Sequence, residues 1–131
     1  MPSSIVEVRC AYSAEEEVAL MQAVHDALVE AFRIAPAHRN VTLVAHPPHR
    51  FLGRPDCEAP ERLTNVTIYV LPGRSLAAKR ALYAGIVRRF AALGIPPACV
   101  LIRLLELPPE NFGVRGGHPV TDIELGYRLD V

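Results

Sequence analysis

The sequence repeats itself at a fixed distance, and this repeat limits the folds open to the chain more than any other feature. Ile34-Ala35-Pro36 is echoed 61 positions later by Ile95-Pro96-Pro97. His46-Pro47-Pro48-His49-Arg50-Phe51 is echoed at the same distance by Leu107-Pro108-Pro109-Glu110-Asn111-Phe112. We therefore expect two halves with the same local structure, packed into a single domain of 131 residues.

A helical pattern lies upstream of each echo. The first helix is expected to begin at Ser13, because Glu16 three residues later completes a capping-box pattern. The second is expected to begin at Ser75 and to stop at Gly94. The apolar residues predicted to face the core are Val18, Met21, Val24, Leu28 and Phe32 in the first helix and Leu82, Tyr83, Ile86, Phe90 and Leu93 in the second.

Strand patterns flank both helices. Segments rich in Val, Ile, Leu and Thr occur at 4–9, 40–45, 65–71 and 99–107. A helix between two strands of one sheet implies a right-handed parallel crossover. The prediction is an α+β fold, in which two β-α-β repeats (about 2–51 and 64–117) form a four-stranded sheet with two helices on one face. Residues 122–130 are expected to add a short C-terminal strand or hairpin.

The face of this sheet opposite the helices is left without cover in a chain of this size. We expect it to carry apolar residues, and self-association is the simplest way to remove them from water. The residues expected there are Ile5 or Val6, Leu43, Ile68, Val70 and Leu104.

Composition narrows the possible partners and the location. Fourteen Lys and Arg balance fourteen Asp and Glu, so no strong field would attract nucleic acid or an anionic membrane. No apolar run approaches the roughly 18 residues of a membrane span, and no signal-type segment follows Met1. The three cysteines, Cys10, Cys57 and Cys99, show no paired spacing, which favours reduced thiols and a cytoplasmic location.

His46 and His49 have a spacing that metal ligands use, but Pro47-Pro48 between them rules out a helical turn. The sequence shows no third ligand near them. We therefore predict neither a metal site nor a cofactor.

Pro2 has two interpretations. The first residue of a strand need not donate a hydrogen bond to the sheet, so a proline there is ordinary. Removal of Met1, however, would leave Pro2 as a free secondary amine, a basic group that no internal residue can supply. Only other features of the chain can separate these interpretations.

Several motifs in the second half occur together. Leu71-Pro72-Gly73-Arg74-Ser75 leads into the second helix, and Asn111-Phe112-Gly113-Val114-Arg115-Gly116-Gly117 follows the last predicted strand of the repeat. With Pro2 and the repeat, they resemble the tautomerase superfamily, whose 4-oxalocrotonate tautomerase members show a Gly-Arg-Ser helix start and a Phe-Gly-Ile-Gly-Gly-like ending. The doubled length and the stretch from Ala31 to Arg39 are similar to the longer members, which include malonate semialdehyde decarboxylase.

The resemblance implies a cofactor-independent enzyme that acts on a carbon next to a carbonyl group. The family's N-terminal proline is a general base, so Pro2 is the expected catalytic amine, its basicity lowered by burial and a neighbouring cation. Arg74 is the second expected catalytic residue, and its bidentate fork would hold a substrate carboxylate. The expected reaction is keto–enol tautomerisation of a small 2-oxo acid or another enolisable carbonyl compound.

Further positions follow from the same resemblance. Phe112 would form an apolar wall of the substrate site, or belong to the core. Arg39 would be a second substrate-binding arginine, although a surface role is equally consistent with its sequence position. His38 is expected to line the site, where decarboxylase-like members carry an aspartate, and this departure weakens the decarboxylase interpretation.

The family also implies a homotrimer with a small-molecule substrate. Two kinds of alternative stay open. One is a decarboxylase, hydratase or dehalogenase of the same superfamily. The other is a non-enzymatic binding protein with a vestigial pocket.

Overall fold

The computed structural model describes residues 2–131, and its elements follow the predicted order. They are β1 (Ser3–Val8), α1 (Ala14–Phe32), β2 (Val41–Ala45), β3 (Thr64–Val70), α2 (Leu76–Ala92) and β4 (Val100–Glu106), followed by a hairpin of β5 (Gly113–Val114) and β6 (His118–Pro119). Across these residues, no helix is both long enough and apolar enough to span a bilayer.

The four long strands form one mixed sheet in the order β2-β1-β3-β4. The pairs β1–β2 and β3–β4 are parallel, whereas β1 and β3 are antiparallel. Each half therefore contributes one parallel β-α-β unit, and the two units meet along β1 and β3. Both helices pack on the same face of the sheet, which confirms the predicted α+β fold.

The predicted serines are the N-caps of the two helices, which start one residue later. Ser13 Oγ accepts the backbone N–H of Glu16, and the Glu16 carboxylate accepts the N–H of Ser13, each at 3.1 Å. Ser75 Oγ accepts the backbone N–H of Ala78.

In each helix, one residue that was predicted to face the core is exposed instead. Val18 is 58% exposed, because α1 turns Leu20 and Val24 towards the sheet instead. Leu93 is 40% exposed because it caps α2 after its last turn.

The open face of the sheet is not the one expected from the sequence. Side chains alternate between the two faces of a strand, and Val6, Leu43, Ile68, Val70 and Leu104 all belong to the core that the helices cover. The opposite set, which we call the open face, contains Ile5, Val44, Tyr69, Leu101 and Leu105 together with Glu7, Thr42, Asn65, Thr67 and Arg103. Both sets contain apolar residues, so alternation alone could not assign them.

The expectation of three reduced thiols is also wrong. Cys57 and Cys99 form a disulfide, with their Cα atoms 4.8 Å apart, while Cys10 is free. The bond joins the linker between the halves to the start of β4, where Arg54 also donates to the Cys99 carbonyl oxygen at 2.7 Å. An odd number of cysteines cannot show which two meet. The cytoplasmic location, which rested on reduced thiols, stays a prediction.

The strand or hairpin predicted at 122–130 is wrong, and the only hairpin of the described residues after β4 is the one formed by β5 and β6. Residues 120–131, the tail, contain only a 3-10 turn at Val120–Asp122 and pack back on the loop before α2. There, the Ser75 N–H donates to the Val131 carbonyl oxygen at 2.8 Å. Gly73, with a φ of 130°, lies so near that a Cβ would be 3.2 Å from the Leu129 carbonyl oxygen. The tail is therefore in contact with the loop that leads into α2.

Candidate active site

Arg74 is a buried cation at the junction of β3 and α2. It follows a bend at Pro72 and comes immediately before Ser75, the N-cap of α2. Its side chain is 6% exposed, and its guanidinium carbon lies 4.8 Å from the centre of the Phe32 ring. It takes part in no salt bridge with any residue between 2 and 131. A buried charge without a counter-ion is unusual, because burial removes its hydration.

One edge of the Arg74 guanidinium has no hydrogen-bond partner. Nη1 donates to the Leu71 carbonyl oxygen at 3.1 Å, which fixes the plane of the group. Nε and Nη2 are buried and unpartnered among the described atoms. These two nitrogens carry parallel N–H groups along one edge, the arrangement that binds both oxygens of a carboxylate.

Two more unpartnered polar atoms lie in the same region. The Tyr127 hydroxyl and His38 Nδ1 are both buried without a partner in the described part of the chain. The two rings meet edge to face, with centroids 5.3 Å apart. Tyr127 lies near enough to Arg74 for a weak polar contact that lacks the geometry of a full hydrogen bond, and this contact joins the pair to the guanidinium. We call Phe32, His38, Arg74 and Tyr127 the Arg74 cluster.

Burial controls the charge states in this cluster. It lowers the pKa of the Arg74 guanidinium, an effect that Tyr127 and Glu106 oppose. It raises the pKa of the Tyr127 hydroxyl, which the positive charge of Arg74 partly offsets. It also lowers the pKa of His38, and the nearby charge of Arg115 adds to this effect. At neutral pH the cluster therefore combines one cation with a neutral tyrosine and a neutral histidine.

Pro2 is buried and lies at the same end of the sheet. It immediately precedes Ser3, which pairs with Tyr69 near the end of β3. The chain leaves β3 at Leu71, whose carbonyl oxygen binds Arg74. The register therefore places Pro2 beside the strand end from which the arginine loop departs.

Comparisons with known proteins identify the family of the chain. A family model described as "Tautomerase enzyme" matches residues 38–115, more than half of the chain and including His38 and Arg74. The chain belongs to the tautomerase family. No curated protein sequence matches the chain.

Solved structures share the fold of this chain over most of its length. Pt0534 inactivated by 2-oxo-3-pentynoate is 25% identical, with a TM-score of 0.81, and the match covers 92% of this chain and 97% of that one. FG41 malonate semialdehyde decarboxylase inhibited by 3-bromopropiolate is 28% identical (TM-score 0.75; coverage 88% and 91%). Native fused 4-OT is 20% identical (TM-score 0.80; coverage 92% and 98%) and supports the fold alone.

Within the tautomerase fold, two predicted site residues lie outside the Arg74 cluster. Arg39 is exposed, and its Nη2 donates to Gln22 Oε1 on α1 at 2.7 Å. Phe112 is half-buried in the turn after β4, where its carbonyl oxygen accepts the Val120 N–H. The ring beside the guanidinium is Phe32 instead. The substrate-binding roles of Arg39 and Phe112 stay predictions.

Two residues of the cluster were missed as site residues from the sequence. Phe32 continues the apolar stripe of α1, so it could not be distinguished from an ordinary core residue. Tyr127 lies in a segment that was predicted only as a short strand or hairpin, and its contact with the arginine loop depends on tertiary structure. No sequence signal marked either residue.

Other parts of the described surface are weaker candidates for a catalytic or binding site. A cavity of about 590 Å³ lies between α1, α2 and the tail. Its charged side chains mostly pair with each other, as in Arg89 with Glu30 and Arg128 with Asp130. Within residues 2–131, no three His, Cys, Asp or Glu side chains come together as metal ligands. The Arg74 cluster is therefore the best candidate for an active site.

Proposed function

We propose that this protein is a cofactor-independent tautomerase that uses Pro2 as general base on a small 2-oxo acid or another enolisable carbonyl compound. The observation that carries the proposal is the buried, unpartnered Nε–Nη2 edge of Arg74 beside the start of β1. A carboxylate on that edge would receive two parallel hydrogen bonds and a counter-charge. The burial of both residues strengthens this recognition, because water competes less for the charge.

In the proposed reaction, Met1 is removed and Pro2 presents a neutral secondary amine. Burial disfavours the charged form of an amine, so it keeps such a base available near neutral pH. The amine takes a proton from the carbon next to the carbonyl group, and the electrons move towards the carbonyl oxygen. Arg74 holds the adjacent carboxylate and stabilises the negative charge that develops. The backbone N–H groups at the start of α2 add positive potential on the same side.

The test follows exchange of the carbon-bound proton for deuterium in phenylpyruvate by NMR. Intact mass first establishes that Met1 is absent, because a capped Pro2 is an amide without a basic lone pair. Pro2→Ala should then reduce exchange by at least about tenfold, the lower range of what general-base catalysis contributes. Pro55→Ala, an exposed linker proline, is the matched control and should exchange at the wild-type rate. Unchanged exchange in a folded Pro2→Ala variant would remove Pro2 from the mechanism.

Decarboxylation is the second candidate, favoured by the 28% identity to FG41 malonate semialdehyde decarboxylase. The same NMR assay with malonate semialdehyde separates the two reactions. Loss of carbon dioxide without prior exchange would support the decarboxylase. Neither signal, with Met1 shown to be absent, would support a binding protein in which Pro2 only begins a strand.

We also propose that the chain assembles as a homotrimer. The open face carries Val44, Leu101 and Leu105, each about 40% exposed, although strands of this length usually bury apolar side chains. Fused 4-OT proteins with this fold occur as symmetric and asymmetric trimers. A symmetric assembly is the usual way in which identical chains cover such a face.

A further inference from the structure

Tyr127 has a buried hydroxyl that lies beside the Arg74 cation without a hydrogen bond of good geometry. Buried tyrosine hydroxyls nearly always form a hydrogen bond, because an unmade one leaves the desolvation of the oxygen uncompensated. Here the ring packs against His38 at 5.3 Å, yet neither its hydroxyl nor His38 Nδ1 is bonded to a described atom. The unpartnered edge of Arg74 belongs to the same cluster. Four unpartnered donors and acceptors in one place indicate a ligand with more than one polar group.

We propose that Tyr127 donates a hydrogen bond to the 2-oxo oxygen of the substrate and is a further catalytic residue of this enzyme. The inference rests on the proposed function, and it adds a residue from the tail. In a 2-oxo acid the carbonyl oxygen is on the carbon next to the carboxylate. The Tyr127 hydroxyl lies beside the guanidinium of Arg74. When the substrate carboxylate occupies the Nε–Nη2 edge, this hydroxyl is therefore well placed to reach the carbonyl oxygen.

The chemical step balances without a further reactant. Pro2 takes the proton from C3, and the C–H electron pair forms the C2–C3 double bond. The π electrons of the carbonyl group move onto its oxygen, where the Tyr127 hydroxyl donates a hydrogen bond and keeps its own proton. The protonated Pro2 then returns a proton or, after exchange with solvent, a deuteron to C3.

The position of Tyr127 is fixed by the same loop that carries Arg74. The close approach of Gly73 to the Leu129 carbonyl oxygen and the Ser75–Val131 hydrogen bond both hold the tail against this loop. Burial raises the pKa of Tyr127, so its hydroxyl stays protonated and can donate throughout the neutral range. A preorganised donor of this kind is what stabilises charge on an oxygen.

The first measurement compares Tyr127→Phe with Tyr12→Phe. Tyr12 is a matched control, because its hydroxyl is also buried and unpartnered and an arginine, Arg62, also lies beside it. Tyr127→Phe should lower kcat for exchange about 100-fold or more, the effect of removing one oxyanion donor, and change KM little. Tyr12→Phe should leave both within about twofold.

The second measurement does not depend on turnover. Oxalate imitates the planar enolate of a 2-oxo acid, whereas propionate offers a carboxylate alone. Tyr127→Phe should weaken oxalate binding at least tenfold in titration calorimetry and leave propionate binding unchanged. If the wild type shows no exchange, the proposed function fails, but this comparison still tests Tyr127.

Two results would overturn the inference. One is a folded Tyr127→Phe variant with wild-type exchange and wild-type oxalate affinity. The other is an equal loss of affinity for oxalate and propionate, which would mean that Tyr127 only packs against the arginine.

Discussion

Arg74 shows how a single residue can be unfavourable for folding and still be retained. Its desolvation is compensated by one backbone hydrogen bond and the Phe32 ring, and by no carboxylate within the described residues. A cation over an aromatic face contributes about 0.5–2 kcal/mol, less than the cost of burying a charge. A bound carboxylate would supply the missing interaction, so the arrangement favours binding over stability.

At this scale we predict that Arg74→Ala raises KM and lowers kcat for a 2-oxo acid. A ketone without a carboxylate should be affected far less, because it does not use the Nε–Nη2 edge. Arg74→Lys should rescue only part of the activity, since a point charge cannot reproduce a bidentate fork. Steady-state kinetics on both substrates would check this, with Arg80→Ala on the exposed side of α2 as control. Equal losses on the two substrates would contradict a carboxylate-binding role.

The sequence indicated Arg74 because it lies in a local motif, but it could not indicate its neighbours. Tyr127 is 53 positions further along the chain, and its contact requires the tail to fold back over Gly73. His38 was expected at the site only by analogy with relatives. Roles that depend on long-range contacts leave little trace in composition or periodicity.

Among the elements, the loop before α2 and the tail behave as one unit, and Gly73 is where they meet. Its φ of 130° is strained for any other residue, and an added Cβ would lie 3.2 Å from a backbone oxygen of the tail. Gly94, with a φ of 91°, is also in the left-handed region, but no atom lies within 4 Å of its Cβ position. A substitution at either glycine introduces backbone strain, but only a substitution at Gly73 also displaces the tail. Comparing the two variants therefore separates the two effects.

We predict that Gly73→Ala and Gly94→Ala each lower stability by about 1 kcal/mol or slightly more, because both put a side chain at positive φ. Only Gly73→Ala should also lower kcat, because it moves the tail and Tyr127 with it. Urea unfolding and the exchange assay would measure the two effects. Wild-type turnover in Gly73→Ala would show that the site does not depend on the position of the tail.

Regular elements were predicted better than their connections. The four strands and both helices lie within two residues of the expected bounds, since capping serines and β-branched runs are local signals. The linker and the tail could not be predicted in the same way. Their positions depend on the Cys57–Cys99 bond and on backbone contacts with distant loops.

For the whole molecule, the proposed trimer depends on the open face. We predict that light scattering at micromolar concentration gives three times the 14.4 kDa mass of the chain. Replacing Leu101 and Leu105 by lysine should produce monomers, because it puts two charges into the proposed interface. Leu76→Lys, at an exposed residue of α2, is the control and should leave the assembly unchanged. A wild-type monomer would rule out both the trimer and any site shared between subunits.

The two halves of the repeat also differ in their reactive groups, and this difference determines how many reactive centres each chain can have. The position equivalent to Pro2 is Leu63, a buried residue in mid-chain whose nitrogen belongs to an amide. The helix caps Ser13 and Ser75 are equivalent, so the residue equivalent to Arg74 is Tyr12, immediately before the cap of α1. The two halves thus share one backbone plan, but only one of them can offer an amine and only one an arginine fork. A trimer of this chain would accordingly have three reactive centres rather than six, and a reagent that alkylates the amine should reach saturation at one equivalent per chain.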